Sequence, residues 1–192
     1  IRDSNWMYNG RSPWRYRCID GLWIKEGTEI RGQWGMTQDA HGRLFYNVNN
    51  SQLLGDLTPP NYMSRHRTYP STAGLNLFVA ADQSVHTLRM NTAVNRGYLP
   101  EVLDDRGRLH VFASSCSPLI YRGDHFPPGL SGNAFVCDPA ANLVKRNILH
   151  TGPLHLSAEP AHPAREVLAS TDERFRPVAL THGPDGALWL LD

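Results

Sequence analysis

Four times in this chain a polar turn built on glycine runs straight into a short apolar segment. His41-Gly42-Arg43 precedes Leu44-Phe45-Tyr46-Asn47-Val48, and Asp104-Asp105-Arg106-Gly107-Arg108 precedes Leu109-His110-Val111-Phe112. Ser131-Gly132-Asn133 precedes Ala134-Phe135-Val136-Cys137, and Gly183-Pro184-Asp185-Gly186 precedes Ala187-Leu188-Trp189-Leu190-Leu191. The glycines stand 65, 25 and 54 residues apart, so the unit recurs without a fixed period. The front follows the same grammar. Trp6-Met7-Tyr8 and Trp14-Arg15-Tyr16-Arg17-Cys18-Ile19 flank Asn9-Gly10, and Gly21 to Lys25 and Trp34 to Thr37 add two more short runs. Alternation of apolar and polar residues between turn signals predicts strands. With 16 Gly and 14 Pro in 192 residues, long helices are disfavoured. The chain is therefore expected to be all-β. Several short strands per roughly 40–60 residues, with Gly at the turns, read as β-propeller blades. A sandwich or barrel uses the same turns and is the alternative.

Composition narrows the function classes. The net charge is +1, with 19% charged residues, which argues against a dedicated nucleic-acid binder. A 41% hydrophobic fraction is enough for a core. The longest apolar run, Leu75 to Ala81, is interrupted by Asn76 and is too short to span a bilayer. Loops are expected at Thr58 to Tyr62, Asn91 to Pro100 and Ser157 to Pro163, where prolines and glycine interrupt the pattern. Ala164 to Leu168 could form one helical turn. No interior linker divides the chain, so residues 1–192 are expected to belong to a single domain. Cys18, Cys116 and Cys137 form an odd set with no C-x-x-C spacing, and their pairing stays open.

The residues offer few familiar catalytic patterns. Nine histidines are scattered without H-E-x-x-H, and G-x-S-x-G, Walker A and G-x-G-x-x-G are absent. Arginine stands out instead, because Lys25 and Lys145 are the only lysines among 19 basic residues. A planar guanidinium fork suits carboxylates. Arg174 and Arg176 flank Phe175. In an extended segment both would point to one side and cradle a polyanion. Arg31 precedes Gly32-Gln33-Trp34-Gly35, where the glycines would let a ligand approach the backbone.

Longer strings carry a family resemblance. Residues 169–178 and 183–192 resemble the last blade of the bacterial quinoprotein dehydrogenases related to soluble aldose and sorbosone dehydrogenases. Asn95-Arg96-Gly97-Tyr98-Leu99-Pro100, Ile120 to Pro128, Gly132 to Val136, Asn142 to Arg146 and Asp3-Ser4-Asn5-Trp6-Met7-Tyr8 are similar to the same family. The resemblance implies a six-bladed β-propeller, of which this chain would cover about four blades as a fragment of a longer protein. It implies the cofactor pyrroloquinoline quinone (PQQ), a tricarboxylate, with Ca²⁺. Arg174 and Arg176 match the family's cofactor-binding R-x-R, and Arg31 matches an arginine of another cofactor-lining stretch. Asn50 and Ser51 fall where backbone carbonyls hold the calcium. Two departures stand out. Gly32 and Trp34 replace the family's Asn and Gln, and Pro139 stands where a lysine is expected. The catalytic histidine would lie upstream of Ile1, and no haem motif occurs in this chain. The implied reaction is oxidation of a sugar or alcohol, with electrons passing to a cytochrome c, in a periplasmic or membrane-associated bacterial setting. The implied partners are the rest of the propeller or another chain. The alternative is a non-catalytic propeller that acts as a binding or assembly module.

Overall fold

The structure, a computed structural model, describes residues 5–91 and 94–192. Asp3 and Ser4 of the resemblance, and Thr92 and Ala93 of the expected loop, lie outside the described residues. Among the described residues the protein is all-β, with four antiparallel sheets and no barrel closure. The first sheet holds β1 (Met7–Tyr8), β2 (Trp14–Ile19) and β3 (Leu22–Gly27). The second is a four-strand meander of β4 (Met36–Gln38), β5 (Leu44–Val48), β6 (Ser51–Gly55) and β7 (Leu77–Phe78). The third runs through β8 (Cys116–Ile120), β9 (Ala134–Asp138), β10 (Leu143–Thr151) and β11 (Leu156–Pro160). In it β12 (Leu168–Ala169) pairs with the start of β10. The fourth holds β13 (Ala179–His182) and β14 (Leu188–Leu191).

The turns explain the sheets. In the β2–β3 hairpin, Asp20 and Gly21 take φ of 50° and 78°, the left-handed pair of a two-residue turn that matches strand twist. Three of the glycine turns share one hydrogen-bond pattern. Asp39 and Arg43, Asp104 and Arg108, and Gly183 and Ala187 close through N–H to C=O bonds of 3.2, 2.8 and 2.8 Å. Gly42, Gly107 and Gly186 supply the positive φ. In the first two turns the aspartate caps two backbone N–H groups and pairs with the arginine four residues on. Three of the four glycine turns are thus one physical device, and the Gly132 turn closes differently, Gly132 N donating to Tyr121 O at 2.7 Å.

Three hydrophobic clusters sit between successive sheets. Leu44, Tyr46 and Leu54 meet Tyr8 between the first and second. Phe45, Leu53, Ile120, Ala134 and Leu156 fill the space between the second and third. Leu119, Phe135, Val144 and Leu180 do so between the third and fourth. The connection from β7 to β8 folds over the third sheet through Val85, Val102, Leu109 and Phe112. Lys145 pins it there, donating to Ser84 O at 2.9 Å and pairing with the buried Glu166 at 3.3 Å.

The structure departs from three expectations. Ser157 to Pro163 was expected as loop, yet β11 covers Leu156–Pro160, because its backbone completes the edge of β10. Ala164 to Leu168 forms no helical turn; its last residue joins β12 instead. Leu109 to Phe112 makes only isolated bridges, Leu103 to Leu109 and Ser84 to Val111.

His182 ties the fourth sheet to the third. Its ring stacks on Tyr121 with centroids 5.8 Å apart, and Nε2 accepts from Arg122 N at 2.9 Å. Burial, and then the Arg122 charge, hold its pKa below the ordinary imidazole value. The neutral ring is therefore the folded form. Unfolded chains bind more protons as the pH falls below about 6.5, so this contribution is present above that pH and is lost below it. Urea midpoints at about pH 7.5 and about pH 5.5 should differ less in His182→Gln than in the native protein. Gly21 gives a second check. A Cβ there would meet nothing within 4 Å, so Gly21→Ala tests backbone strain alone. It should cost about 1 kcal/mol in urea unfolding.

Candidate functional site

The first strands of three sheets begin side by side. Ser117 N donates to Trp34 O at 2.9 Å, joining the starts of β8 and β4. Leu180 N donates to Ser117 Oγ at 2.8 Å, joining β13 to β8. The segments leading into these strands therefore share one end of the structure, with the β5–β6 and β9–β10 turns. Ser115 N donates to Asn49 O at 2.9 Å, and Arg176 Nη1 to Pro139 O at 2.8 Å. All the residues expected to hold a cofactor or metal lie at this end.

Their roles differ. Arg31 is 2% exposed, and its fork is committed inside the protein. Nε pairs with Asp56 Oδ2 at 2.5 Å, and Nη1 donates to Thr28 Oγ1 at 2.7 Å and Glu29 O at 2.8 Å. Nη2 has no hydrogen-bond partner but is itself buried. Asp56 is fully buried and also accepts from Tyr46 OH at 2.6 Å and Asn76 N at 3.0 Å. Burial first, and then the Asp56 carboxylate, push the Tyr46 phenol far up, so it stays a donor. A ligand in solvent does not meet the Arg31 side chain.

The neighbouring glycines serve the chain itself. A Cβ on Gly32 would lie 2.8 Å from Tyr46 Cβ, and one on Gly35 would lie 2.9 Å from Ser117 Cα. What the glycines admit is the adjacent strands.

Arg174 and Arg176 are exposed. Arg174 sits in a turn rather than a strand, its N–H capped by Asp172 Oδ1 at 2.9 Å. Arg176 Nη1 covers the Pro139 carbonyl, where the family's lysine was expected. Asn50 is exposed at the β5–β6 turn, whereas Ser51 is buried with its carbonyl 3.5 Å from Ser115 Oγ. Among the described residues no three His, Cys, Asp or Glu side chains cluster as metal ligands. Oxygen donors at this turn are thus amides and carbonyls, which suit a hard cation.

The structure adds Arg11, Arg96 and Asn76, to which the sequence assigned no role. A pocket of about 520 Å³ opens between the first two sheets and the β7–β8 connection. Asn49, Asn50 and Gln33 line it, together with Arg11, Arg96 and Asn76. The last three all hold left-handed backbones, at φ of 58°, 63° and 54°. Non-glycine residues held in that region cluster at binding sites. The signal for Arg96 lay in the string Asn95 to Pro100, whereas nothing local marked Arg11. Asn50 and Arg96 also border an adjoining pocket of about 400 Å³.

Fold and site together define an all-β protein of stacked antiparallel sheets, with a pocket bordered by amides and arginines at the end where its first strands begin. The chain belongs to the family described as a domain of unknown function, DUF7133, whose model matches residues 8–192. No curated protein and no solved structure matches the chain significantly.

The Arg31–Asp56 pair yields a stability prediction. Removing one partner strands the other charge in the interior, so Asp56→Ala should cost about 3–5 kcal/mol in urea unfolding. A loss under about 1 kcal/mol would mean that Arg31 reaches solvent or another partner.

Proposed function

We propose that this chain forms part of a six-bladed β-propeller that binds PQQ with Ca²⁺ and serves as a dehydrogenase for a sugar or alcohol, with a cytochrome as electron acceptor. The side-by-side start of β4, β8 and β13 supports the propeller, since blades present their first strands around a common axis. The single observation that carries the cofactor reading is the pocket at that end, bordered by Arg11, Arg96 and the Asn49–Asn50 turn. A tricarboxylate needs permanently charged forks, which Arg11 and Arg96 offer at the pocket's border; Arg174 and Arg176 are exposed at the same end without lining the pocket. Arg31 does not fit as a direct contact. Its part is to hold the lead-in of β4 against Asp56, so that Gly32 and Gln33 border the pocket.

When bound, PQQ supplies a two-electron acceptor for hydride from a substrate CH–OH group. The chain's own residues bind and orient. Asn50 offers oxygen to a cation, and the arginines offset carboxylate charge. No residue of 1–192 is assigned as the base.

One observation favours a second reading, a non-catalytic propeller that acts as a binding module. The arginine that matches the family's cofactor stretch is spent on an internal ion pair. Titrating the protein with PQQ and Ca²⁺, followed by quenching of tryptophan fluorescence, separates the two. The cofactor reading expects saturable binding, weakened at least about tenfold in Arg174→Ala/Arg176→Ala and in Arg11→Ala/Arg96→Ala. Absence of binding, or binding unchanged in both double variants, would leave the module reading.

A further inference from the structure

Cys116 on β8 and Cys137 on β9 are register partners across an antiparallel pair. Such partners project from the same face with Cα atoms about 4.5–5.5 Å apart. That lies within the range of about 4.4–6.8 Å that a disulfide requires. Both thiols are free. Cys18 sits on β2, in a different sheet.

The pair is fixed in place. After Cys116–Cys137 the register steps to Leu119–Phe135, so β8 carries one extra residue. Ser117 absorbs it with a left-handed backbone at φ 46°. Ser117 N donates to the lead-in of β4, and Ser117 Oγ accepts from Leu180 N of β13. The bulge is thus clamped by the sheets on both sides, and the cysteines cannot slip out of register. The two thiols differ in access. Cys137 is fully buried among Leu119, Phe135 and Val144. Cys116 is half-buried, with Sγ 3.6 Å from the Val178 carbonyl.

We infer that Cys116 and Cys137 are a redox-active pair that closes into a cross-strand disulfide by exchange with a small-molecule disulfide. Cys116 is the accessible thiol of the two, and the neighbouring Cys137 thiol also holds it below the usual range, while Cys116, and then burial, push Cys137 up. Cys116 is therefore the attacking thiolate. It attacks one sulfur of the small disulfide RSSR, forms a mixed disulfide and releases one thiolate RS⁻. Cys137 gives up its proton and attacks Cys116 Sγ, expelling the second RS⁻. Two cysteine thiols are oxidised, and RSSR takes up the two electrons and two protons as two RSH. Closure also withdraws the Cys116 thiol from the Pro177 and Val178 carbonyls, directly after Arg176. This inference is independent of the cofactor reading.

The folded protein equilibrated with glutathione disulfide or with dithiothreitol, then quenched in acid, alkylated in denaturant and mapped by peptide mass, tests it. Glutathione disulfide should give a Cys116–Cys137 linked peptide with Cys18 outside the link, and dithiothreitol should return three alkylated cysteines. Cys137→Ser should trap glutathione on Cys116. The inference is overturned if Cys116 and Cys137 stay alkylatable at every ratio of oxidised to reduced glutathione, or if the cross-link contains Cys18. Should Cys137→Ser not fold, the map of the native chain decides alone.

Discussion

The second and third sheets are covered on both faces, and much of the structure follows from that constraint. Every residue of β6 and β9 is buried. A strand in that position cannot hide its polar groups in solvent, so they must find one another. Asn147 Nδ2 donates to Gln52 Oε1 at 2.8 Å, and Gln52 N donates to Gln83 Oε1 at 2.8 Å. Asp138 accepts from four backbone N–H groups at Ala113, Ser114, Ala140 and Ala141. The first joins the second and third sheets, and the others tie the β7–β8 connection and the β9–β10 turn to those strands. Burial drives the stacking, and polar matching sets its register.

The same constraint sorts the arginines. Arg31 stands where the first and second sheets close on each other, so its charge must be met inside by Asp56. Arg174 and Arg176 follow the third sheet at its solvent-facing end, and Arg11 and Arg96 border the pocket beside the second. One residue type thus divides into an internal strut and a set of forks available to an anion. Arg31→Lys would be a poor substitute at the first position, because an ammonium cannot serve Asp56, Thr28 and Glu29 in one plane.

The turns were the most legible part of the sequence. Trp14–Ile19 and Leu44–Val48 were bounded correctly, and Gly42, Gly107, Gly132 and Gly186 all take positive φ. Such features are local, because glycine and the alternation beside it act over a few residues. What was missed depends on distant neighbours. β6 shows no alternation because both of its faces are buried. β10 reads as mixed because Lys145 and Asn147 are met by Glu166 and Gln52, far along the chain. The internal use of Arg31 rests on an aspartate 25 residues later. Arg11 and Arg96 meet at one pocket only through the packing of the first sheet and the β7–β8 connection.

The proposed function puts an acidic quinone cofactor at the end where β4, β8 and β13 begin, beside the Asn49–Asn50 turn. Amide chemical shifts of the ¹⁵N-labelled protein, recorded as PQQ and Ca²⁺ are added, test it most directly. The largest changes should fall on Gln33, Asn49, Asn50 and Arg96 and saturate together. Changes centred away from this pocket, or none, would contradict it.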